Sequence, residues 1–136
     1  MPAISSESPT HLAYLAGFAR ALSRSLDVFL IVERGDIPAD LGCRRAQVLR
    51  LPRGLRSLEL AALLIYARLL GYRDCYVHYS FRAAFAASII ARVSSGRTFY
   101  WNCGMPWLYR RPLARDLFER VTYRLVSFLV TGTDGL

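Results

Sequence analysis

The sequence predicts an α/β fold: a doubly wound, mostly parallel sheet with helices on both faces, three layers in all. Short, continuous, β-rich apolar runs alternate with stretches of helical periodicity along the whole chain. The helical stretches are about 10–15 residues long, the length that joins parallel neighbours in βαβ units. A strand buried on both faces of a parallel sheet reads as an unbroken apolar run, as these do. Right-handed crossovers then complete the doubly wound arrangement. With 136 residues there is room for one domain.

Each element has its own signal. Ser8-Pro9 supplies an N-cap followed by proline at the first helical position. Leu12, Leu15, Ala16, Ala19 and Leu22 then recur at helical spacing, with Arg20, Ser23 and Arg24 on other faces. Val28 to Val32 is the first strong strand. Gly35-Asp36-Ile37-Pro38 breaks the pattern, and a weaker strand runs from Ala46 to Leu51. Ser57 can cap a helix from Leu58 to Leu70, with Gly71 as its C-terminal stop. That helix is apolar nearly all round, which predicts an element covered on more than one side.

Cys75 to Tyr79 is a second apolar strand, Arg82 to Val93 a helix closed by Gly96, and Thr98 to Trp101 a third strong strand. Asn102-Cys103-Gly104-Met105-Pro106 is a loop. Pro112 opens a helix whose apolar stripe is Leu113, Leu117, Val121 and Leu125. Asp116 and Arg120 pair on its wet face, worth about 0.2–0.5 kcal/mol. Phe128 to Thr131 is the last strand. Both ends read as cut. The helix at Pro9 should follow a long buried first strand, for which only Ala3-Ile4-Ser5 is present, and Thr131 to Leu136 reads as the start of a further loop and helix. The expectation is an incomplete domain, poorly stable and prone to associate.

Composition narrows the class. At 54% apolar residues the chain has ample surface for a core, which excludes disorder. Glycine has no period, no heptad persists, and three cysteines are too few and odd in number for a disulfide scaffold. Basic residues number 18 against 10 acidic, net +8, and every basic residue is Arg. Such a surface favours anionic partners, whether phosphates, nucleic acid or an acidic membrane face; the competing explanation is a set of solvated helix faces. No segment reaches the ~18–20 uncharged apolar residues of a membrane span. The longest, Leu60 to Ala67, is bounded by Glu59 and Arg68. The first residues carry neither a basic n-region nor an apolar h-region, so no signal peptide is expected. Cys43, Cys75 and Cys103 lack CxxC spacing and read as reduced thiols, which predicts a cytoplasmic location.

In open parallel sheets ligands gather at the C-terminal ends of the strands. The loops there offer His11, His78, Ser80, Arg82, Asn102, Thr133 and Asp134. Ser8 and Thr10 are accounted for as helix caps, and Asn102 as a turn residue. His78 stands out, because a histidine inside an apolar strand needs a hydrogen-bond partner if buried. It is either a satisfied core residue or a site residue. Several signatures are missing: no G-x-G-x-x-G follows a strand, no Walker A exists, and there is no G-x-S-x-G elbow. Two distant histidines and no carboxylate cluster argue against a metal.

Asp74-Cys75-Tyr76-Val77-His78-Tyr79-Ser80, an Ala-rich helix ending at Gly96, and Arg97-Thr98-Phe99-Tyr100-Trp101-Asn102-Cys103-Gly104 form a recognisable succession. It resembles the middle of the N-terminal domain of family 4 glycosyltransferases of the GT-B fold. Phe118-Glu119-Arg120 through Leu129-Val130-Thr131-Gly132-Thr133-Asp134-Gly135-Leu136 is similar to that domain's last helix and strand, and Ser8 to Leu26 to its first helix, with Ala19-Arg20-Ala21-Leu22 at the matching end. Two departures stand against this. The Gly-rich loop after the first strand is replaced by Ser5-Ser6-Glu7-Ser8-Pro9, and the C-terminal domain that holds the donor and its Glu-rich motif is not in this sequence.

The resemblance implies a Rossmann-like acceptor-binding domain and transfer of a sugar from a nucleotide-sugar donor to a saccharide or lipid-linked hydroxyl. It implies no metal and no cofactor, the donor being a substrate. By the same resemblance His78 is the catalytic candidate, Ser80, Arg82, Asn102 and Gly104 contact the acceptor, and Thr133 and Asp134 face an interdomain cleft. Without the donor domain the chain is not expected to catalyse, since positioning supplies much of the rate. The alternative is a small basic α/β module for nucleic acid. Against it, the arginines scatter over every helix and the aromatics lie mostly in strands, so nucleic acid is not the expected partner. An anionic membrane at the inner face is a further expected partner. It is suggested by the charge, the all-round apolar helix and the loop Met105-Pro106-Trp107-Leu108-Tyr109-Arg110-Arg111.

Overall fold

Each apolar run read as a strand within the described residues forms one, within a few residues of its predicted ends. The computed structural model describes residues 13–102 and 112–130. Among them four helices and five strands alternate: α1 (Ala13–Ser23), β1 (Phe29–Val32), β2 (Arg45–Val48), α2 (Arg56–Leu69), β3 (Asp74–His78), α3 (Phe81–Val93), β4 (Arg97–Trp101), α4 (Leu113–Leu125) and β5 (Phe128–Val130). The architecture is α/β, with two small parallel sheets of order β1-β2 and β3-β4-β5. The short first strand, the helix start at Pro9, the loop after Asn102 and the tail from Thr131 lie outside the described residues. No described helix is long and apolar enough to cross a membrane. Two compact units divide the chain, Met1–Leu63 and Leu64–Leu136, with α2 running across the division.

In the first unit β1 and β2 pair in parallel from Phe29↔Arg45 to Val32↔Val48. The break after β1 holds a 3-10 turn, Ala39–Leu41, which the sequence reading missed. It places Leu41 in a core with Ala19, Leu30 and Val32, and Gly42 leaves it at φ +69°. Leu15 and Ala19, two of the periodic positions of α1, are buried. The weak strand is weak for a visible reason: Arg45, Ala46 and Gln47 of β2 are all exposed.

Helix α2 ends as its glycine predicts. Gly71 sits at φ +94°, its N–H bonds the Arg68 carbonyl at 3.0 Å and that of Tyr72 bonds the Ala67 carbonyl at 3.0 Å, a Schellman motif. The expectation of cover on more than one side fails. Leu64 and Ala67 are buried, whereas Leu58, Ile65 and Leu69 are exposed.

In the second unit β3 pairs with β4 from Asp74↔Arg97 to His78↔Trp101, and β4 with β5 from Phe99↔Phe128 to Trp101↔Val130. Alternation along each strand sets two faces. Cys75, Val77, Thr98 and Tyr100 share one; Asp74, Tyr76, His78, Arg97, Phe99 and Trp101 share the other. The small buried residues Ala84, Ala87, Ser88 and Ala91 of α3 let that helix approach the sheet closely. Phe81 and Tyr123 pack on Tyr100, with ring centroids 5.5 and 6.2 Å away.

Two expectations are corrected here. The stripe Leu113, Leu117 and Val121 does not face the core: Leu113 is 87% exposed and Leu117 64%. The buried residues of α4 are Glu119 and Thr122. Phe118 packs against Phe85 of α3, ring centroids 5.1 Å apart, and fixes which way the helix is turned. Burial of the polar pair is tolerated because Arg115 bonds Glu119 at 3.1 Å and the Thr122 hydroxyl donates to the Phe118 carbonyl at 2.9 Å. On the wet face, Asp116 and Arg120 pair as predicted, at 2.8 Å. The second correction concerns α3. It closes with Ser95 in the left-handed position (φ +53°), and Gly96 is the next residue, its N–H bonding the Ala91 carbonyl at 2.9 Å.

Candidate functional site

The C-terminal edge of the β3-β4-β5 sheet gathers most of the described site candidates. His78 ends β3 and is 1% exposed. Its Nδ1 lies 3.3 Å from the Tyr76 hydroxyl, two residues back on the same face. The Trp101 ring, directly across the strand pair, is 4.2 Å away, and the Tyr79 ring meets the imidazole edge-on at 4.3 Å. Burial pushes the imidazole pKa down to about 4. At neutral pH the ring therefore carries one N–H and one lone-pair nitrogen, and can both donate and accept.

The chain leaves β3 through a tight turn. Tyr79 takes φ +61°, and the Ser80 N–H reaches back to the His78 carbonyl at 2.8 Å, closing a γ-turn. Turns of this sense are rare and strained, and left-handed backbone at a non-glycine costs on the order of 1–3 kcal/mol. Neighbouring bonds hold it in place. The Tyr79 N–H donates to the Trp101 carbonyl at 3.0 Å, and its own carbonyl accepts from the Tyr100 hydroxyl at 3.5 Å. Ser80 then caps α3, its Oγ accepting from the Ala83 N–H at 3.4 Å. Arg82 follows in the first turn of α3 and is exposed.

Asn102 follows β4. Its N–H donates to the Val130 carbonyl at 3.2 Å, and its side-chain amide donates to the Tyr123 hydroxyl at 2.8 Å, tying the strand end to α4. His78, Ser80 and Asn102 thus stand at one sheet edge, with Ser80 and Asn102 already engaged in cap and clamp bonds. Gly104, Thr133, Asp134 and His11 lie outside the described residues. Cys75 projects from the opposite face of β3 to His78, which rules out a thiol–imidazole pair, and burial raises its thiol pKa. Among the described residues no three His, Cys, Asp or Glu side chains gather as metal ligands.

Sequence reading missed Trp101, Tyr76 and Tyr123 as parts of the site. Tyr76 was findable, because alternation puts residues 76 and 78 on one face. Trp101 was not, because its position depends on the register between β3 and β4. No family model, curated protein or solved structure matches the chain. What is established is a small α/β protein built on parallel sheets.

Proposed function

We propose that this chain is the acceptor-binding half of a glycosyltransferase, a Rossmann-like, doubly wound domain. In this reading it presents a saccharide or lipid-linked hydroxyl to a nucleotide-sugar held by a second domain outside this sequence. One observation carries the reading: a neutral, buried histidine at the C-terminal end of a parallel strand, packed on a tryptophan ring 4.2 Å away. Sugar rings present C–H faces that lie well on an aromatic face, and a neutral imidazole can accept a hydroxyl proton or hydrogen bond at pH 7. The edge position is where open parallel sheets take their ligands. In the proposal Trp101 supplies the platform, His78 the hydroxyl partner, and Asn102 and Ser80 hold the chain just beyond the strand ends that carry them.

The test uses the chain's two tryptophans, Trp101 and Trp107. In a Trp107→Phe background, fluorescence reports Trp101 alone. Titration with a panel of mono- and disaccharides and short lipid-linked sugar analogues should give saturable quenching by one class. His78→Ala should weaken it by about tenfold or more with the circular dichroism unchanged. Absence of binding by every sugar, with quenching by a single-stranded oligonucleotide instead, would overturn the proposal in favour of a nucleic-acid module.

A further inference from the structure

Helix α2 carries a solvent-facing apolar stripe. Leu58, Ala62, Ile65 and Leu69, with Leu55 just before the helix, follow at spacings of three, four, three and four residues, so they fall on one side. Leu69 is 81% exposed, Leu58 67%, Ile65 51% and Leu55 47%. The buried residues, Leu64 and Ala67, lie on the opposite side. The helix has 14 residues and so runs for about 21 Å. Isolated surface leucines need no explanation, but a continuous line of this length marks an interaction surface.

The charge around the stripe says which. Between residues 50 and 74 the chain has five arginines (Arg50, Arg53, Arg56, Arg68 and Arg73) and two acidic residues. Both carboxylates are held by hydrogen bonds. That of Glu59 accepts from the N–H groups of Arg50 and Leu51 at 2.8 and 2.9 Å, and that of Asp74 is held by Arg97 at 2.6 Å. Arg56 and Arg68 bond backbone carbonyls and also feel the Glu59 and Asp74 charges, but five arginines against two carboxylates leave the segment at a net +3. A second copy laid on this stripe would bring one basic set against another, a like-charge cost that argues against self-pairing.

We infer that this face of α2 docks on an anionic phospholipid bilayer. The helix lies in the interfacial plane, its leucines reach the acyl boundary, and the arginines that flank and follow it engage lipid phosphates. The inference stands on α2 and the residues that flank it and is independent of the sugar-binding reading.

Co-sedimentation of the whole chain with vesicles tests it, using phosphatidylcholine alone and phosphatidylcholine mixed with phosphatidylglycerol. Binding is expected to the mixed vesicles, weakening as salt rises. The double variant Leu58→Ser/Leu69→Ser changes only exposed positions and should lose about tenfold or more of that affinity. Arg53→Ser/Arg73→Ser, also exposed, should lower binding to the anionic vesicles while leaving the fold intact by circular dichroism, and serves if the leucine variant fails to fold. Equal binding to both vesicle types, or wild-type binding by folded variants, overturns the inference. So does a lipid-free oligomer that Leu58→Ser/Leu69→Ser returns to monomer without vesicle binding having been present, because the stripe then belongs to a second copy.

Discussion

Replacing Thr98 by valine should make the protein more stable. Thr98 sits in β4, fully buried, on the face shared with Val77 and Tyr100. Its backbone is well served: the N–H donates to the Ser127 hydroxyl at 3.0 Å, and the carbonyl accepts from the Ser127 N–H at 3.0 Å. Its side-chain oxygen is not. Among the described residues Thr98 Oγ1 is the buried side-chain polar atom without a hydrogen-bond partner. A buried hydroxyl in that state carries a desolvation penalty of about 1–3 kcal/mol.

Valine keeps the β-branch and nearly the same shape while exchanging the hydroxyl for a methyl. The penalty disappears, and the strand preference stays. Some of the gain is lost because the methyl is slightly larger in a packed site, which leaves about 1–2 kcal/mol. In urea unfolding at 25 °C, with a slope of about 1–3 kcal/mol per molar, the midpoint should rise by roughly 0.5–1 M at unchanged slope. Thr98→Ser is the control: it keeps the hydroxyl and deletes the methyl, so it should lose about 1 kcal/mol. A neutral or destabilised Thr98→Val with the same slope would refute the reasoning, since it would mean that the hydroxyl is bonded in solution.

Two further outcomes follow from the backbone and from His78. The imidazole is held neutral, with its pKa near 4 against an ordinary 6.5, so the unfolded chain takes up the proton first as pH falls. Stability should be full above about pH 6.5 and decline on the way down to about pH 4, by on the order of 3 kcal/mol; His78→Asn should flatten that part of the profile, and an unchanged slope in the variant would exclude His78 as its source. Ser95→Gly should raise the urea midpoint by the equivalent of about 1 kcal/mol, because glycine takes the left-handed position at φ +53° without the Cβ clash; no change would mean that Ser95 is not left-handed in solution.

Much of the fold was legible because parallel strands and their helices write different periods. Val77, Tyr100 and Leu30 sit in short β-rich apolar runs, and all three are buried. Gly71 announced the end of α2 through its freedom at positive φ. The direction in which a helix turns its stripe was not legible. Periodicity identifies Leu113, Leu117 and Val121 as neighbours on α4, but which side meets the protein is decided by contacts from another element. In this case Phe85 of α3 packs on Phe118. The same limit applies to α2, where an apolar surface nearly all round concealed that only one side is packed.

The candidate site divides along the same line. His78 was visible because a histidine breaks an apolar run near the ligand edge of a sheet, and that needs no knowledge of any other strand. Trp101 became part of the site only through the β3–β4 register, in which His78 lies opposite it. A shift of one residue would have turned Trp101 to the other face of the sheet, away from His78. The strained turn at Tyr79 was hidden for a different reason. Tyrosine has no preference for positive φ, so no local signal marks it, and the conformation is stabilised from outside by the Trp101 carbonyl and the Tyr100 hydroxyl. Strain of this kind persists only where surrounding structure over-determines it. The turn, the imidazole and the tryptophan are therefore one construction: the bond from Tyr79 to Trp101 fixes the turn and also holds the strand end that carries the ring packed against His78.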